Sequence, residues 1–501
     1  MPGTFFGINT ALRGLLTHQK ALETTAHNIA NANTPGYTRQ QVIMAATPAY
    51  PVPAMSRPGG QGWQVGTGVD AQEVRRIRDE FLDKQIWHES HTLGAWERRR
   101  DVLQEIEVVF AEPSDTGLST LMSQFWASWQ ELSKYAESSP VRTTVVETAT
   151  ALAEALRHTY QQLETIREDI NQMMEIKVIE INSLARQIAD LNKQIAAIKA
   201  AGDQPNDLMD QRDKLLDELA KIIDFRVQEQ GDGSVQVFLA DSSGNYTIDL
   251  VEVNTNGKLV RKLDVNRDGD NNTIITWVDN DLSDGITVAN DAVNITNGEL
   301  YGLQVVRDEQ LAVFKANLDT LANGLRDRVN VIHQAGKDLH GNDGRVFFTG
   351  NNGAADIDVN PAIRSDVTLI AAAGTAGGPG DGSNALSIAQ LQHELLQESD
   401  SDSDGYVDTL VTGSGGVTFD DYYKNFTARL GVAAHEAVRM VENQNVLVQQ
   451  LTNRRESISG VSLDEEMAYM IQFQHAYNAA ARMISTFDEM LDTIINRMAA
   501  H

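Results

Sequence analysis

Apolar residues recur at alternating intervals of four and three at both ends of the chain. This spacing places them on one face of a helix and is the heptad repeat of a coiled coil. In the first segment Gln19 fills one position of the repeat, whereas the last segment has no polar interruption. The two predicted apolar seams consist of Ile8, Leu12, Leu15, Leu22 and Ile29, and of Met470, Phe473, Tyr477, Ile484, Phe487, Leu491, Ile494 and Met498.

The ends of these two helices are also marked in the sequence. The first is predicted to stop near 31–33, because Thr34 precedes a proline and Pro35-Gly36 suits a turn. The second begins at Ser462 with a capping-box arrangement of acidic residues. We therefore predict that 1–36 and 462–501 form paired terminal helices.

An ordinary amphipathic helix packed on its own core would show the same stripe. However, a hairpin of two helices with one apolar stripe each buries little surface and is marginally stable alone. Neighbouring chains would then bury the apolar surface that the hairpin leaves exposed. We expect the two ends to be mobile in the monomer and ordered in an assembly.

Helical periodicity also dominates much of the chain between the ends. It predicts a shaft domain made of 37–224, 303–340 and 385–461, in which 163–198 is a long coiled-coil-like helix. A Pro- and Gly-rich segment at 45–68 interrupts the pattern and is predicted to be an extended arm or hairpin.

The composition changes abruptly at Phe225, where short alternating segments and turns rich in Asp, Asn and Gly begin. This pattern is typical of strands and tight turns. It predicts a β-rich outer domain formed by 225–302 and 341–384. The fold class is therefore multidomain α+β, with a terminal two-helix coiled coil, a long helical bundle shaft and an inserted outer β domain.

Composition limits the function. The chain has 501 residues, no cysteine and a formal net charge of −29. Disulfides and thiolate sites are excluded, and the acidic balance argues against nucleic acid and anionic membranes as partners. No apolar run approaches the length of a membrane span, so we expect no membrane insertion. The first residues lack the features of a Sec-type signal peptide, so export would use another route.

Two acidic loops have the spacing with which calcium loops begin. In the first, Asp264, Asn266 and Asp268 precede Gly269. Neither loop has Glu at the twelfth position, and a solvated turn is the alternative for both. The denser second loop is the candidate structural calcium site, with Asp400, Asp402, Asp404 and Asp408 as ligands.

No cofactor is predicted to be required, and no catalytic residue is proposed. The histidines are scattered without a His-Glu-x-x-His pair, and neither a Gly-x-Ser-x-Gly elbow nor a phosphate-binding loop is present. The sequence therefore favours a non-enzymatic subunit over an enzyme.

The residues that follow the first helix carry a family resemblance. Segment 28–39 resembles the signature of bacterial flagellar rod, hook and hook-associated proteins, the axial proteins. The motif residues are Asn28, Asn31, Asn33, Thr34, Pro35, Gly36 and Tyr37. Further segments resemble the hook-associated protein 1 family, which forms the first hook–filament junction; these are 112–119, 125–129, 206–213, 298–303 and 459–466. The resemblance covers roughly 1–225 and 298–501.

This resemblance implies a secreted structural subunit of the flagellum that joins hook to filament. It implies type III export without a cleaved signal and self-assembly into a ring through the terminal helices. The expected partners are further copies of the chain, the hook protein, the second junction protein and an export chaperone on the C-terminal helix. A hook or distal-rod subunit, an exported enzyme with assembly helices, and a secreted coiled-coil effector are the alternatives.

Overall fold

The structure is a computed structural model. It describes residues 5–50, 65–110, 117–240, 244–252, 259–278, 292–399, 409–412 and 416–493. Within these residues the fold is mostly helical with several small sheets, which confirms a multidomain α+β fold.

Eleven α-helices lie in the described residues. They are α1 (Phe6–Asn31), α2 (Glu80–Val109), α3 (Leu118–Lys134), α4 (Ser139–Ala200), α5 (Asn206–Ile222), α6 (Glu299–Val305), α7 (Ala312–Ala335), α8 (Pro361–Ser365), α9 (Ser383–Gln390), α10 (Phe419–Ser459) and α11 (Leu463–Asp492). A π-helical stretch at Val306–Leu311 joins α6 to α7.

The strands form small antiparallel sheets. In chain order they are β1 (Gln40–Ala46), β2 (Val69–Arg76), β3 (Arg226–Glu229), β4 (Val235–Ala240), β5 (Tyr246–Glu252), β6 (Leu259–Val260), β7 (Lys262–Arg267), β8 (Thr273–Val278), β9 (Phe348–Thr349), β10 (Asp358–Val359), β11 (Leu396–Ser399) and β12 (Thr409–Thr412). Strands β3 to β6 make one four-stranded sheet, and the others pair as β1–β2, β7–β8, β9–β10 and β11–β12.

The core of the shaft lies along α4, the longest helix at 62 residues. Its heptad positions Leu163, Ile170, Ile181, Ile188 and Ile195 are fully buried. A tight turn at 201–205 then reverses the chain into α5, which packs back on α4.

A second part of the core is aromatic and lies where α3 meets α7 and the segment 341–384. Trp129 is fully buried against the rings of Phe125, Phe347 and His333. Apolar packing therefore extends without a break from the shaft into the segments that follow α7.

The two β sheets of residues 226–278 are held on α4 by three buried asparagines. The Asn182 amide both donates to the Leu263 carbonyl (2.8 Å) and accepts from its N–H (2.9 Å). Asn192 makes the same pair of bonds with Val235, and Asn171 accepts from the N–H of Thr273. Each side chain thus satisfies strand backbone groups that the helix would otherwise bury unpaired.

Two features differ from the predicted boundaries. Segment 341–384, grouped with the β region from its composition, packs on α3, α4 and α7, and its strands β9 and β10 are two residues each. Its apolar residues, such as Phe347, Ile357 and Ile370, enter the helical core. In the segment 385–461, predicted to be part of the helical shaft, α9 ends at Gln390 and Leu396–Ser399 form strand β11.

The described residues of the Pro/Gly-rich arm, 45–50 and 65–68, continue an antiparallel hairpin, in which Tyr50 pairs with Val65. Strands β1 and β2 pair from Gln40↔Arg76 to Ala46↔Val69, with an irregularity between Ile43 and Met44. One side of this hairpin lies against α1. The arm therefore supports the N-terminal helix as well as joining it to the shaft.

Candidate functional site

The terminal helices α1 and α11 pack against each other in antiparallel orientation. Asn28 near the end of α1 contacts Glu466 near the start of α11, His18 stacks on Phe473 with ring centroids 6.2 Å apart, and Gly7 lies under the Phe487 ring. The sequence separation of more than 430 residues shows that the pair closes the whole chain on itself. We call the end near Asn28 the base of the pair and the end near Gly7 its tip.

The face that α1 turns to α11 is not the predicted apolar seam. It consists of small and polar residues with heptad spacing, namely Gly7, Ala11, Gly14, His18, Ala21, Thr25 and Asn28. The predicted seam lies one position further along, about 100° around the helix. Ile8, Leu15, Leu22 and Ile29 are half-buried there, and Leu12 is 42% exposed.

The predicted seam of α11 faces α1. Met470, Phe473, Tyr477, Ile484, Phe487 and Leu491 are all half-buried. Ile494 and Met498 lie outside the described residues. Among the described positions of this helix, Glu466 alone is fully buried. The pair therefore leaves much of the surface of α11 open to solvent.

Asn28, the first residue of the axial-family motif, is the centre of the base. Its amide donates to the Gln40 carbonyl (2.9 Å) and to Glu466 (3.0 Å). Its oxygen accepts from the Tyr37 hydroxyl (2.7 Å) and the Gln40 N–H (3.0 Å). All four hydrogen-bonding positions of the side chain are satisfied, which a buried amide requires.

Charged groups complete this base. Arg39 donates from Nε to Glu466 (2.8 Å) and from Nη1 to Glu465 (2.9 Å), while its N–H binds the Ser459 carbonyl (2.8 Å). Burial, together with the surrounding carboxylates, raises the pKa of Tyr37 well above its usual range. The phenol therefore stays protonated and remains a donor.

Helix α5 connects the base to the shaft through a row of carboxylates. Asp207 accepts from the Gln40 side chain (2.7 Å) and Asp210 from the Thr38 N–H (2.9 Å). Arg76 at the end of β2 lies 2.7 Å from both Asp210 and Asp213. The chain segment after α1 is thus fixed on one side to α11 and on the other to the shaft.

The same carboxylates have perturbed acidities. Burial acts to raise the pKa of Asp213, but Arg212, Arg78 and Arg76 together lower it to about 2. Burial raises the pKa of Asp210 despite its bonds to Arg76 and Thr38. These groups form a structural ion-pair network, since each carboxylate is matched by a guanidinium or an N–H.

The other motif residues form the loop that leaves α1. Asn31 bonds within the helix to the His27 carbonyl, whereas Asn33, Thr34 and Pro35 are exposed. Gly36 has φ +84°, the left-handed conformation that favours glycine. Ala32, the residue directly after α1, is right-handed, so the left-handed residue of this loop is the glycine of the predicted turn.

The structure gives no support to a metal site in the first acidic loop. Asp268 accepts from the N–H groups of Asp270 and Asn272, and Asn266 bonds to Thr276, so the loop is the turn of the β7–β8 hairpin. Within the described residues no three acidic or histidine side chains converge as metal ligands. The candidate calcium ligands Asp400, Asp402, Asp404 and Asp408 lie outside the described residues.

Sequence reasoning missed the partners of the motif. Arg39, Gln40, Asp207, Asp210 and Glu466 all lie within or next to segments that carry the family resemblance. The pairing with Asp207, Asp210 and Glu466 could not be predicted, because these contacts span between 167 and 438 residues and no periodicity connects them. No described helix has the length and hydropathy of a membrane span.

Comparisons with known proteins agree with this geometry. Residues 103–348 match the family described as "Flagellar hook-associated protein FlgK helical domain". The two ends match separate families, described as "Flagella basal body rod protein" (8–38) and "Flagellar basal body rod FlgEFG protein C-terminal" (455–498). The two terminal matches coincide with α1 and its loop and with α11.

Full-length relatives were also found. Flagellar hook-associated protein 1 of Bacillus subtilis is 33% identical, and the alignment covers 99% of each chain. The protein of the same name from Salmonella typhimurium is 28% identical over 98% of this chain and 99% of its own. The flagellar hook junction protein FlgK from Burkholderia pseudomallei has a similar fold, with a TM-score of 0.62, 17% identity and coverage of 75% of this chain and 100% of its own. The chain belongs to the flagellar hook-associated protein 1 family.

Proposed function

We propose that the chain is a structural subunit that joins hook to filament in the bacterial flagellum and assembles through its terminal helices. The observation that carries the proposal is the contrast within the helix pair. Its base is locked to the shaft by the network around Asn28 and Glu466, while much of its apolar surface has no partner in the described residues. A rigid attachment with an uncovered surface suits a part that binds neighbouring copies.

Family membership supports the same role, because relatives that match over nearly the whole chain are named flagellar hook-associated protein 1. We infer a ring of copies with the hook protein on one side and the second junction protein on the other. We further infer an export chaperone that covers α11, since its exposed apolar residues would otherwise promote aggregation. No arrangement of the described residues favours the exported enzyme.

Deletion of the gene in its own bacterium tests the proposal. Hooks are expected to remain, filaments to be absent, and filament subunits to accumulate in the medium. Expression of the intact chain from a plasmid should restore filaments, which excludes an effect on neighbouring genes. Normal filaments in the deletion strain would contradict the junction function.

Amide exchange tests the related inference that assembly orders the ends. In soluble monomer, 5–30 and 465–493 are expected to exchange faster than α4, because their amides belong to helices with half-exposed apolar faces. Slow exchange throughout both segments would contradict this inference while leaving the junction function intact.

A further inference from the structure

Helix α1 contains two glycines, and contacts among the described residues account for only one of them. A Cβ at Gly7 would lie 2.3 Å from the Phe487 ring, so glycine is required there for α11 to approach. A Cβ at Gly14 would meet no atom of the described residues within 4 Å. Gly14 lies in the interior of a 26-residue helix, where glycine is the poorest former apart from proline. The described residues therefore give no packing reason for a glycine at this position.

The space beside Gly14 is a cavity between the two helices. It has a volume of about 360 Å³ and is bounded by Gly7, Ala11 and Gly14 of α1, Ala476 and Ala480 of α11, and Gly66 of the arm. A water molecule takes up roughly 30 Å³ of the liquid, so the cavity has room for branched side chains. No Asp, Glu, Lys or Arg lines it. Thr10 and His18 are the polar residues of its lining and the rest is apolar, so an apolar occupant suits it best.

An apolar ridge of matching size lies on the outer side of the same helix. Leu12 is 42% and Leu16 is 55% exposed, and Phe5 is 63% exposed. Leu12 and Leu16 are four positions apart, so their side chains form one row of the kind that fits the grooves of a second helix. They point away from the cavity of their own chain, since Ala11 and Gly14 face it.

We propose that the Leu12–Leu16 ridge of one copy inserts into the cavity beside Gly14 of the next copy. This rests on the proposed function and names the contact by which neighbouring copies assemble. Ridge and cavity are different surfaces of one chain, so the contact is heterologous and repeats from copy to copy, as rings and helical tubes require. Gly14 then lacks a Cβ because the backbone of α1 is approached closely by a neighbour.

Substitution of Gly14 separates assembly from folding. Gly14→Leu places a side chain in open space, so the monomer keeps its circular dichroism and its melting temperature does not fall. It fills the cavity, and we expect about tenfold fewer filaments per cell in the deletion strain that carries it. Gly14→Ala raises helix propensity similarly but adds only the Cβ, so we expect it to reduce filaments less than Gly14→Leu does. Filaments at the wild-type level with Gly14→Leu would overturn the proposal.

Cross-linking tests the contact directly, because the chain has no cysteine of its own. Leu12→Cys and Ala480→Cys chains are produced together in the deletion strain and treated with a short bismaleimide. A mixed dimer is expected, whereas Leu12→Cys combined with Val331→Cys on the shaft should give none. Absence of the mixed dimer in cells that have filaments would overturn the contact alone. Failure of the intact gene to restore filaments would instead count against the proposed function.

Discussion

The shaft and the terminal helix pair use apolar residues in opposite ways. In the shaft, the heptad positions of α4 are fully buried and Trp129 has no exposed surface. In the terminal pair, the seam of α11 is only half-buried, and Leu12, Leu16 and Ile471 are largely exposed. The shaft therefore obtains its stability within one chain. The terminal pair has one fixed end and an apolar surface that the described residues leave partly uncovered.

The largest effect is expected in the aromatic core of the shaft. Trp129→Ala removes a ring that packs on Phe125, Phe347 and His333 and leaves a cavity. Such truncations lower the free energy of unfolding by about 3–5 kcal/mol. Urea denaturation followed by circular dichroism measures this. A loss below about 1 kcal/mol would mean that the shaft core is not the main source of stability.

The free energy of unfolding is expected to depend on pH through His333, which lies in the same aromatic core. Its Nδ1 lies 2.6 Å from the Arg345 carbonyl oxygen, and its Nε2 accepts from the Ala371 N–H at 2.9 Å. Since a carbonyl can only accept, Nδ1 carries the hydrogen and the ring is neutral. Burial lowers the pKa of His333 to about 4.

The direction of the pH effect on stability follows because, between pH 6.5 and about 4, only the unfolded chain binds a proton at this ring. Above pH 6.5 both states are neutral at this ring and its stabilising bonds are complete. Between pH 6.5 and about 4 the unfolded state takes up the proton, so stability falls as pH falls, by about 3 kcal/mol in total. His333→Gln should flatten this part of the stability profile, whereas His393→Gln, at an exposed histidine, should leave it unchanged. An unchanged slope in His333→Gln would contradict the assignment.

The base of the terminal pair is expected to show a smaller and more local effect. Asn28→Ala leaves the Tyr37 hydroxyl, the Gln40 N–H and Glu466 each without one partner. Unsatisfied buried groups of this kind cost about 2 kcal/mol. Amide exchange should accelerate near the base of α1 and α11 and stay unchanged in α4.

Asn33→Ala is the matched control, because Asn33 belongs to the same motif but is exposed. It should alter monomer stability by less than about 0.5 kcal/mol. Equal acceleration of exchange in both variants would show that the motif acts through its loop conformation and not through the bonds of Asn28.

The contrast between the shaft and the terminal pair also explains which elements could be predicted from the sequence. The heptad of α4 and the stripe of α11 were read from spacing, because apolar residues there face other parts of the chain. The face of α1 that contacts α11 could not be predicted from spacing, because Gly7, Ala11, Gly14 and His18 form no hydrophobic stripe. The apolar stripe predicted as the assembly seam of α1 lies beside the contact with α11, and hydrophobic periodicity does not reveal whether a stripe faces the same chain or another.

Polar contacts between residues far apart in the sequence could not be predicted either. Asn182 lies on a helix and binds a strand 81 residues away, and nothing in its local sequence distinguishes it from a surface asparagine. Segment 341–384 was grouped with the β region because Gly, Asn and Asp dominate its composition. Its few large apolar residues, among them Phe347 and Ile370, decided its packing instead.

The smallest effect on monomer stability is expected on the outer side of α11. Ile471 is 56% exposed, so Ile471→Ser removes little buried surface and should alter the free energy of unfolding by less than about 0.5 kcal/mol. Ile170→Ser, at a fully buried position of α4, is the matched control and should be strongly destabilising. Urea denaturation of the two variants compares the regions with the same chemical change. A loss above about 1 kcal/mol for Ile471→Ser would mean that the outer side of α11 is covered within the monomer. The terminal pair would then be an extension of the shaft core, and its apolar surface would no longer argue for a neighbouring copy.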